Sequence, residues 1–429
     1  MDLIQNNIVF EVDGTKFNVP LIEPWNIYTG PIKIAPDILK HINYQREQLN
    51  YIVLYVTNQC NLKCSYCFDK KNRINDKETE QLNIDDFVNF LRKMNMKKFT
   101  IRFFGGEPLI RLETINKIIK VIEEERIIRN WNVNYNIFTN GTIVNNTVIK
   151  LIEKYNLTLF LSIDGTKEMH DKNRRYINNK GSYDKIIKNM KQLITKYPYK
   201  IVVRSIIDIS QPEQPLNGIF ANLFNEGFNI ISFEFPWINK ENKMALDEKQ
   251  LKNINLMIKQ LAFEIVAKIK MGDYHYIGIH PFLTYLRKLS RREQLLDAYS
   301  CGAGAEMLAI STKGELYPCH AFVGNKKYTL GNLQEGITNN KLSKQFHDLS
   351  ADMIDKCRCC PIKYLCSKRC PADALLYNGS IFKPNEVRCE IEKIILKYSF
   401  YIYYSICKEN IKNEKLVSRF YTRGDTIFA

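Results

Sequence analysis

The sequence IVLYVTNQCNLKCSYC, residues 52–67, joins a short apolar run to a loop that carries three cysteines. The run has the length and the β-branched content of a buried strand. Three thiolates on one loop, here Cys60, Cys64 and Cys67, can each bind one iron of a four-iron cluster and leave the fourth iron open to a small chelating molecule. A zinc site needs four ligands, and no fourth Cys or His lies nearby. A thioredoxin-like redox pair would leave the third cysteine unexplained.

The same alternation of strand and helix patterns continues along the chain. Further apolar runs occupy residues 99–104, 133–139, 157–164, 200–207 and 230–235, and helical patterns lie near 83–96, 113–126, 144–155, 183–196, 215–226 and 247–271. Six strand–helix units in series predict an α/β fold with a parallel sheet and right-handed crossovers. We expect a partial (β/α)6 barrel of the TIM type, with the functional residues at the carboxyl ends of the strands.

The flanking segments have other patterns. Residues 8–19 predict a hairpin with its turn at Asp13-Gly14, the region from 301 onward is rich in Cys and Gly, and 390–407 predict an amphipathic helix. We therefore divide the chain into an N-terminal extension (1–50), the partial barrel (51–272), a connecting helical segment (273–300), a small Cys-rich domain (301–389), and a C-terminal helix with its tail (390–429).

The bulk composition limits the possible partners. The chain has 429 residues, 45% of them hydrophobic, but no run of 18 apolar residues and no apolar signal core, so we expect a cytoplasmic protein without a membrane span. Twelve cysteines in a reducing compartment favour metal binding over disulfides. The formal net charge of +16 is spread along the whole chain without a compact basic block. This distribution argues against nucleic-acid binding and favours attraction to a partner with acidic stretches, such as a peptide leader.

The motif CNLKCSYC (60–67) resembles the CxxxCxxC signature of the radical S-adenosylmethionine (SAM) superfamily. The resemblance implies that its three cysteines hold a [4Fe-4S] cluster and that SAM binds the open iron. FFGGEP (103–108) is similar to the family's GGE motif for the SAM amino group, and LSIDG (161–165) to its ribose or carboxylate contact. By this resemblance we expect SAM contacts at Tyr66, Gly105, Gly106, Glu107, Asn140, Ser162, Arg174 and Arg204.

The second cysteine set is similar to the SPASM pattern, CX12GX4C followed by CX2CX5CX3C and a last cysteine. That domain holds two auxiliary four-iron clusters in radical SAM enzymes that modify peptides and proteins, so the resemblance implies three [4Fe-4S] clusters in total. It assigns Cys301, Cys319 and Cys370 to auxiliary cluster I, and Cys357, Cys360, Cys366 and Cys389 to auxiliary cluster II. One ligand position of auxiliary cluster I has no recognised cysteine. Cys359 and Cys407 remain, and we expect both to be structural or buried thiols.

The resemblance also implies the reaction. Radical SAM enzymes cleave SAM to a 5′-deoxyadenosyl radical that removes a hydrogen atom from an unactivated carbon. In anaerobic sulfatase maturases an acidic residue follows the cysteine of the GX4C element, whereas here His320 does, in CHAFVG (319–324), which resembles peptide maturases that form thioethers. No catalytic acid or base follows from the sequence; His320 and Asp164 are available, with a structural role expected for each.

We therefore expect a peptide maturase that oxidatively forms Cys thioether crosslinks. Sulfatase-maturase-like protein oxidation, a carbon–carbon crosslink, and a non-catalytic iron–sulfur electron-transfer protein remain as alternatives. The expected partners are a precursor peptide and a reductant such as flavodoxin or ferredoxin. Only about 50 residues precede the first barrel strand, fewer than a winged-helix leader-binding domain needs, so a separate leader-binding protein is a further candidate partner.

Overall fold

The computed structural model describes residues 2–4, 7–12, 15–20, 48–70, 72, 82–209, 215–237, 239–241, 246, 248–290, 297–299, 301–360, 362–366 and 369–408. The strands are β1 (Asp2–Ile4), β2 (Asn7–Val12), β3 (Thr15–Pro20), β4 (Tyr51–Thr57), β5 (Lys98–Gly105), β6 (Asn132–Thr139), β7 (Leu157–Ser162), β8 (Ile201–Ile206), β9 (Ile231–Glu234), β10 (Ile279–His280), β11 (Met307–Ile310), β12 (Glu315–Tyr317), β13 (Gly331–Asn332) and β14 (Gly336–Ile337). The α-helices are α1 (Ile84–Lys93), α2 (Leu112–Arg129), α3 (Asn146–Lys154), α4 (Lys167–Asn173), α5 (Tyr183–Lys196), α6 (Leu216–Asn225), α7 (Glu248–Lys270), α8 (Phe282–Ser290), α9 (Asn340–His347), α10 (Asp355–Arg358), α11 (Pro371–Asn378) and α12 (Glu386–Lys408).

The predicted partial barrel is confirmed. Strands β4 to β9 pair in sequence order and in parallel, and α1, α2, α3, α5 and α6 follow the successive strands β4 to β8. Beyond the six predicted barrel strands, β10 pairs in parallel with β9 and extends the sheet at that edge. Its two residues are too few to give a period-2 pattern, which explains why the sequence did not reveal it.

The C-terminal domain joins the same sheet at the other edge. Strand β11 pairs in parallel with β4, with Met307 opposite Tyr51, and β12, β13 and β14 continue in antiparallel order. The strand that leads into the first cysteine loop is therefore hydrogen-bonded on both sides and buried along its whole length. Such a central strand provides a rigid base for the loop that follows it.

The two faces of the barrel sheet have different aromatic contacts. On one face Tyr55, Phe104, Phe138 and Phe160 form a continuous row across four neighbouring strands, with ring centroids 4.4–5.4 Å apart. On the opposite face Phe103 of β5 stacks against Tyr135 of β6, with ring centroids 6.4 Å apart. The aromatic row lies one or two residues before the ends of its strands, so these rings lie directly beneath the loops that follow the strands.

The flanking elements agree with the predictions where they are described. The hairpin appears as β2 paired with β3, and β1 adds a third antiparallel strand; its turn, Asp13-Gly14, lies outside the described residues. The C-terminal helix α12 begins four residues earlier than predicted and packs against α7 and α8. Within the described part of the chain, no helix combines the length and apolar character needed to cross a bilayer.

Candidate functional site

The first cysteine loop is tied to its surroundings by backbone hydrogen bonds. Lys63 N donates to Arg175 O at 2.8 Å, and Ser65 N donates to Asn173 O at 3.0 Å, which fixes the loop against the segment after α4. The side chains of Cys60, Cys64 and Cys67 are partly exposed. A loop with a fixed backbone and accessible thiols is suited to binding a cluster.

The two glycines of the GGE motif meet the start of this loop. A Cβ atom on Gly105 would lie 1.9 Å from Thr57 O, and one on Gly106 would lie 2.1 Å from Gln59 O. Gly105 also has a φ of +131°, which favours glycine. Gly106 N donates to Thr57 O at 3.0 Å, so the close approach is a hydrogen-bonded backbone contact. At both glycines the group that approaches closely is therefore the backbone of the chain itself.

Glu107 has a structural role that the sequence did not reveal. Its side chain is fully buried, and its carboxylate accepts hydrogen bonds from Leu109 N (3.1 Å), Thr139 Oγ1 (2.8 Å) and Asn140 N (2.7 Å). These bonds cap the 3-10 turn Pro108–Arg111 and join the end of β5 to the end of β6. The carboxylate expected to contact the SAM amino group therefore also holds two loops of the site together.

Asn140 lies beside the cluster loop. Its Nδ2 donates to Asn61 Oδ1 at 2.9 Å and lies 3.9 Å from Cys60 Sγ, within reach of a hydrogen bond to sulfur. Its Oδ1 accepts from Thr142 N at 3.0 Å, which fixes the orientation of the amide. The sequence placed Asn140 among the SAM contacts, whereas the structure places it next to Cys60, an expected cluster ligand.

Ser162 and Arg204 are register partners at the ends of β7 and β8. The Arg204 Nη2 atom pairs with Glu234 Oε1 at 2.9 Å, and the Arg204 side chain is 31% exposed. This cation therefore has one carboxylate partner and still reaches solvent on the face of the sheet that carries Glu234.

Arg174 is paired with a carboxylate of the chain itself. Its Nε and Nη2 atoms donate to the two carboxylate oxygens of Asp164 at 2.8 and 3.1 Å, and both side chains are buried. The Tyr66 hydroxyl donates to the same carboxylate, and the Arg174 guanidinium lies 5.2 Å from the Tyr66 ring centroid. Burial raises the pKa of Tyr66 well above its usual value despite the opposing effect of Arg174, so the phenol remains a donor.

His320 projects from the C-terminal domain toward the barrel. Its ring lies 4.9 Å from Phe104, 5.7 Å from Phe68 and 6.3 Å from Trp237, measured between ring centroids. Tyr55 Oη donates to His320 O at 3.0 Å and anchors the backbone. Burial, followed by the nearby cations Arg102 and Arg204, lowers the pKa of His320 to about 4, so the ring is neutral at physiological pH.

The C-terminal cysteines gather around one cavity of about 230 Å³. The cysteines in its wall are Cys301, Cys357, Cys359, Cys360, Cys366, Cys370 and Cys389. Burial and then the charge of Cys301 raise the pKa of Cys319 to about 12, which places Cys319 near the cavity as well. Cys359 is exposed and lines the cavity, so the expectation of a buried thiol is wrong for it. The side chain of Cys407 lies outside the described residues.

Electrostatic neighbours divide these cysteines into two groups. The pKa of Cys370 is raised by burial and then by Cys301 and Cys319. The pKa of Cys389 is raised to about 12 by burial and by Cys357, with a smaller contribution from Cys360. These two sets of neighbours agree with the division of ligands that we propose for auxiliary clusters I and II.

The thiols are suited to clusters more than to a single shared ion. In the described ranges, no three His, Cys, Asp or Glu side chains are grouped closely enough to hold one metal ion. In a four-iron cluster each thiolate binds a separate iron, so the sulfurs stand farther apart than around one zinc ion. The partly exposed and cavity-lining cysteines are compatible with ligands of such clusters.

Comparison with known proteins defines the class. The model of the radical SAM superfamily matches residues 54–214, and that of the SPASM iron–sulfur cluster-binding domain matches residues 301–361. The chain is a radical SAM enzyme with a C-terminal SPASM domain, and its cofactors are SAM and [4Fe-4S] clusters.

Among characterised relatives, the cysteine-type anaerobic sulfatase-maturating enzyme of Clostridium novyi (strain NT) is 26% identical over 342 residues, covering 76% of this chain and 88% of that enzyme. The radical SAM cyclopropyl synthase TigE of Paramaledivibacter caminithermalis is 25% identical over 372 residues, covering 82% and 74%. The solved structure of native anSMEcpe with bound AdoMet superposes with a TM-score of 0.69 at 20% identity, over 83% of this chain and 99% of that one. The last similarity concerns the fold.

Proposed function

We propose that this enzyme oxidatively modifies a ribosomally made peptide and joins a cysteine of that peptide to a carbon atom through a thioether. Its class and its similarity to maturating enzymes support a peptide or protein substrate. The assignment of a thioether as the product is more specific than the class of substrate, and it depends on His320, the residue that follows Cys319.

The residues of the barrel are assigned to cofactors as follows. Cys60, Cys64 and Cys67 would hold the first cluster, while Gly105, Gly106, Glu107, Ser162 and Arg204 would surround SAM. When bound together, the cluster and SAM supply a carbon-centred radical that removes a hydrogen atom from the substrate. The aromatic row Tyr55, Phe104, Phe138 and Phe160 lies beneath these residues and excludes water from that side. In the C-terminal domain, seven cysteines would hold the two auxiliary clusters, so that ten cysteines would ligate three clusters in the whole chain.

The observation that carries the thioether product is the position of His320. In sulfatase maturases an acidic residue follows the corresponding cysteine, whereas here a neutral imidazole lies among Phe68, Phe104 and Trp237. The carboxylate of Glu234, which influences this histidine, is paired with Arg204. The position therefore lacks the anionic group of the sulfatase maturases, and its sequence context resembles thioether-forming maturases.

A second candidate function is the oxidation of a single protein residue. It is favoured by the relatives, because several are cysteine-type anaerobic sulfatase-maturating enzymes, including the one from Clostridium novyi. The two candidates differ in the product: a thioether joins two residues, whereas oxidation at one site leaves the peptide uncrosslinked.

We further propose that the enzyme acts in the cytoplasm with a flavodoxin or ferredoxin as reductant, and that a separate protein presents the leader. The number and grouping of its cysteines support a reducing compartment, where thiols persist for metal binding.

The test is anaerobic incubation with SAM, reductant and a synthetic precursor peptide that contains cysteine, followed by mass spectrometry. A thioether maturase removes two hydrogens per crosslink, makes one cysteine resistant to alkylation, and suppresses backbone fragments between the joined residues. Oxidised product with complete fragmentation would support the second candidate. Cysteines that remain alkylatable after full turnover would refute thioether formation.

A further inference from the structure

Asp164 is a buried carboxylate at the end of the fourth barrel strand, and its side chain is 2% exposed. It accepts two hydrogen bonds from Arg174, one from the Tyr66 hydroxyl, and one from Ile206 N at 2.8 Å. Four donors fill the acceptor capacity of a carboxylate. Asp164 is therefore fully occupied by the chain itself.

These donors come from three separate parts of the site. Tyr66 belongs to the first cysteine loop, Arg174 ends α4, and Ile206 is the last residue of β8, two residues beyond Arg204. A buried ion pair is a poor source of net stability, because desolvation offsets much of the attraction. Its geometric effect is larger: one carboxylate fixes three segments relative to one another.

Tyr66 is the donor with a functional consequence. The residue lies between Cys64 and Cys67, on the loop that would hold the first cluster, and it is one of the SAM contacts that the family resemblance implies. The phenol is held at its hydroxyl by Asp164 and lies 5.2 Å from the Arg174 guanidinium. A ring restrained at its tip and near its face has little freedom to rotate.

We propose that Asp164 is a positioning residue that holds the Tyr66 ring in place for contact with SAM, with Arg174 as its buried counter-ion. This inference rests on SAM binding by the barrel and is independent of the peptide product. Arg174 would then act on SAM binding through Asp164 and Tyr66, whereas Arg204, which reaches solvent, remains an expected direct contact.

A double-mutant cycle tests the inference. Tyr66→Phe keeps the ring and removes only its hydrogen bond to Asp164, whereas Asp164→Asn weakens the acceptor. We expect Tyr66→Phe to weaken SAM binding about five- to tenfold, which corresponds to about 1–1.4 kcal/mol for the lost restraint. Asp164→Asn should weaken it at least as much, and adding Tyr66→Phe to Asp164→Asn should cause little further loss, because both changes break the same contact.

The measurements are anaerobic calorimetry with SAM and the paramagnetic resonance spectrum of the reduced first cluster before and after SAM addition. The spectral change on SAM addition should be reduced in Tyr66→Phe, although its iron content stays at the wild-type value. Tyr135→Phe is the matched control, because it removes a tyrosine–carboxylate hydrogen bond of 2.8 Å to Glu123 away from the site. It should bind SAM as the wild type does.

Two results would overturn the inference: wild-type SAM affinity in Tyr66→Phe, or losses that multiply in the double variant. Failure of the wild type itself to bind SAM would instead refute the cofactor assignment. The two failures are therefore distinguishable.

Discussion

Replacing Gly106 with alanine should empty the first cluster site and spare the auxiliary clusters. The new Cβ would lie 2.1 Å from Gln59 O, 2.5 Å from Gln59 C and 2.6 Å from Asn58 O. All three atoms are backbone, so no side-chain rotation relieves the clash. The loop between β4 and Cys60 must retreat by about 1 Å to restore ordinary van der Waals contact.

The energetic cost follows from the contacts that this retreat breaks. Gly106 N to Thr57 O (3.0 Å) and Glu107 N to Gln59 O (2.7 Å) are the hydrogen bonds that join the two loops. Each contributes about 1 kcal/mol, and overpacking adds about 1–3 kcal/mol. A total of about 3–5 kcal/mol, applied one residue from Cys60, lowers the population of the cluster-competent loop by about 150- to 5,000-fold.

The assay is iron content and SAM cleavage after anaerobic reconstitution. Gly106→Ala should contain about eight irons in place of about twelve and should not cleave SAM. Gly218→Ala, in α6, is the control, because a Cβ there meets nothing within 4 Å, and it should match the wild type in both measurements. Full iron content together with wild-type SAM cleavage in Gly106→Ala would refute the reasoning.

Three other changes have defined outcomes. In Glu107→Gln an amide N–H replaces the oxygen that accepts the hydrogen bond from Asn140 N. The free energy of unfolding, measured by anaerobic denaturant titration, should therefore fall by about 2 kcal/mol, while the iron content is retained. Asn140→Ala removes a donor near the sulfur of Cys60, and the reduction potential of the first cluster should fall in a potentiometric titration; an unchanged potential would contradict this role. The pKa of Glu125 is lowered to about 2, chiefly by a hydrogen bond from a neighbouring arginine, so its stabilisation is complete above the unfolded-state pKa of about 4.5 and is lost as the pH falls toward 2. Glu125→Gln should therefore lower the urea midpoint at pH 7, and the difference from wild type should narrow at pH 4.

The sequence predicted the barrel because its strands are long enough to show their pattern. The six parallel strands agree with the expected runs to within about two residues at each end, and the motifs lie at the strand ends as expected. The two-residue strand β10 carries no such pattern. The division of the C-terminal cysteines was implied by the family resemblance and could not come from spacing alone, because Cys370 closely follows Cys366 but has Cys301 and Cys319 as its electrostatic neighbours.

The partners of the charged side chains could not be predicted in this way. Arg174 could have faced a ligand or a carboxylate, and only the tertiary structure places Asp164 against it. Two of the three donors to Glu107, Thr139 and Asn140, lie more than thirty residues away along the chain. The aromatic surroundings of His320 combine three further segments of the chain, and no local pattern links them.

The parallel pairing of β11 with β4 joins the barrel and the C-terminal domain in one continuous sheet. Four residue pairs, from Met307 with Tyr51 to Ile310 with Leu54, join them in one sheet, and the Tyr55 hydroxyl adds a contact to His320 O. The separation between the first cysteine loop and Cys319 is therefore set by a hydrogen-bonded ladder and not by a linker. A truncation after residue 300 would expose the backbone edge of β4, which is a template for aggregation. Chimaeras that exchange the C-terminal domain between relatives would have to preserve the register of β11, because a slip of one residue reverses the face on which every side chain of that strand lies.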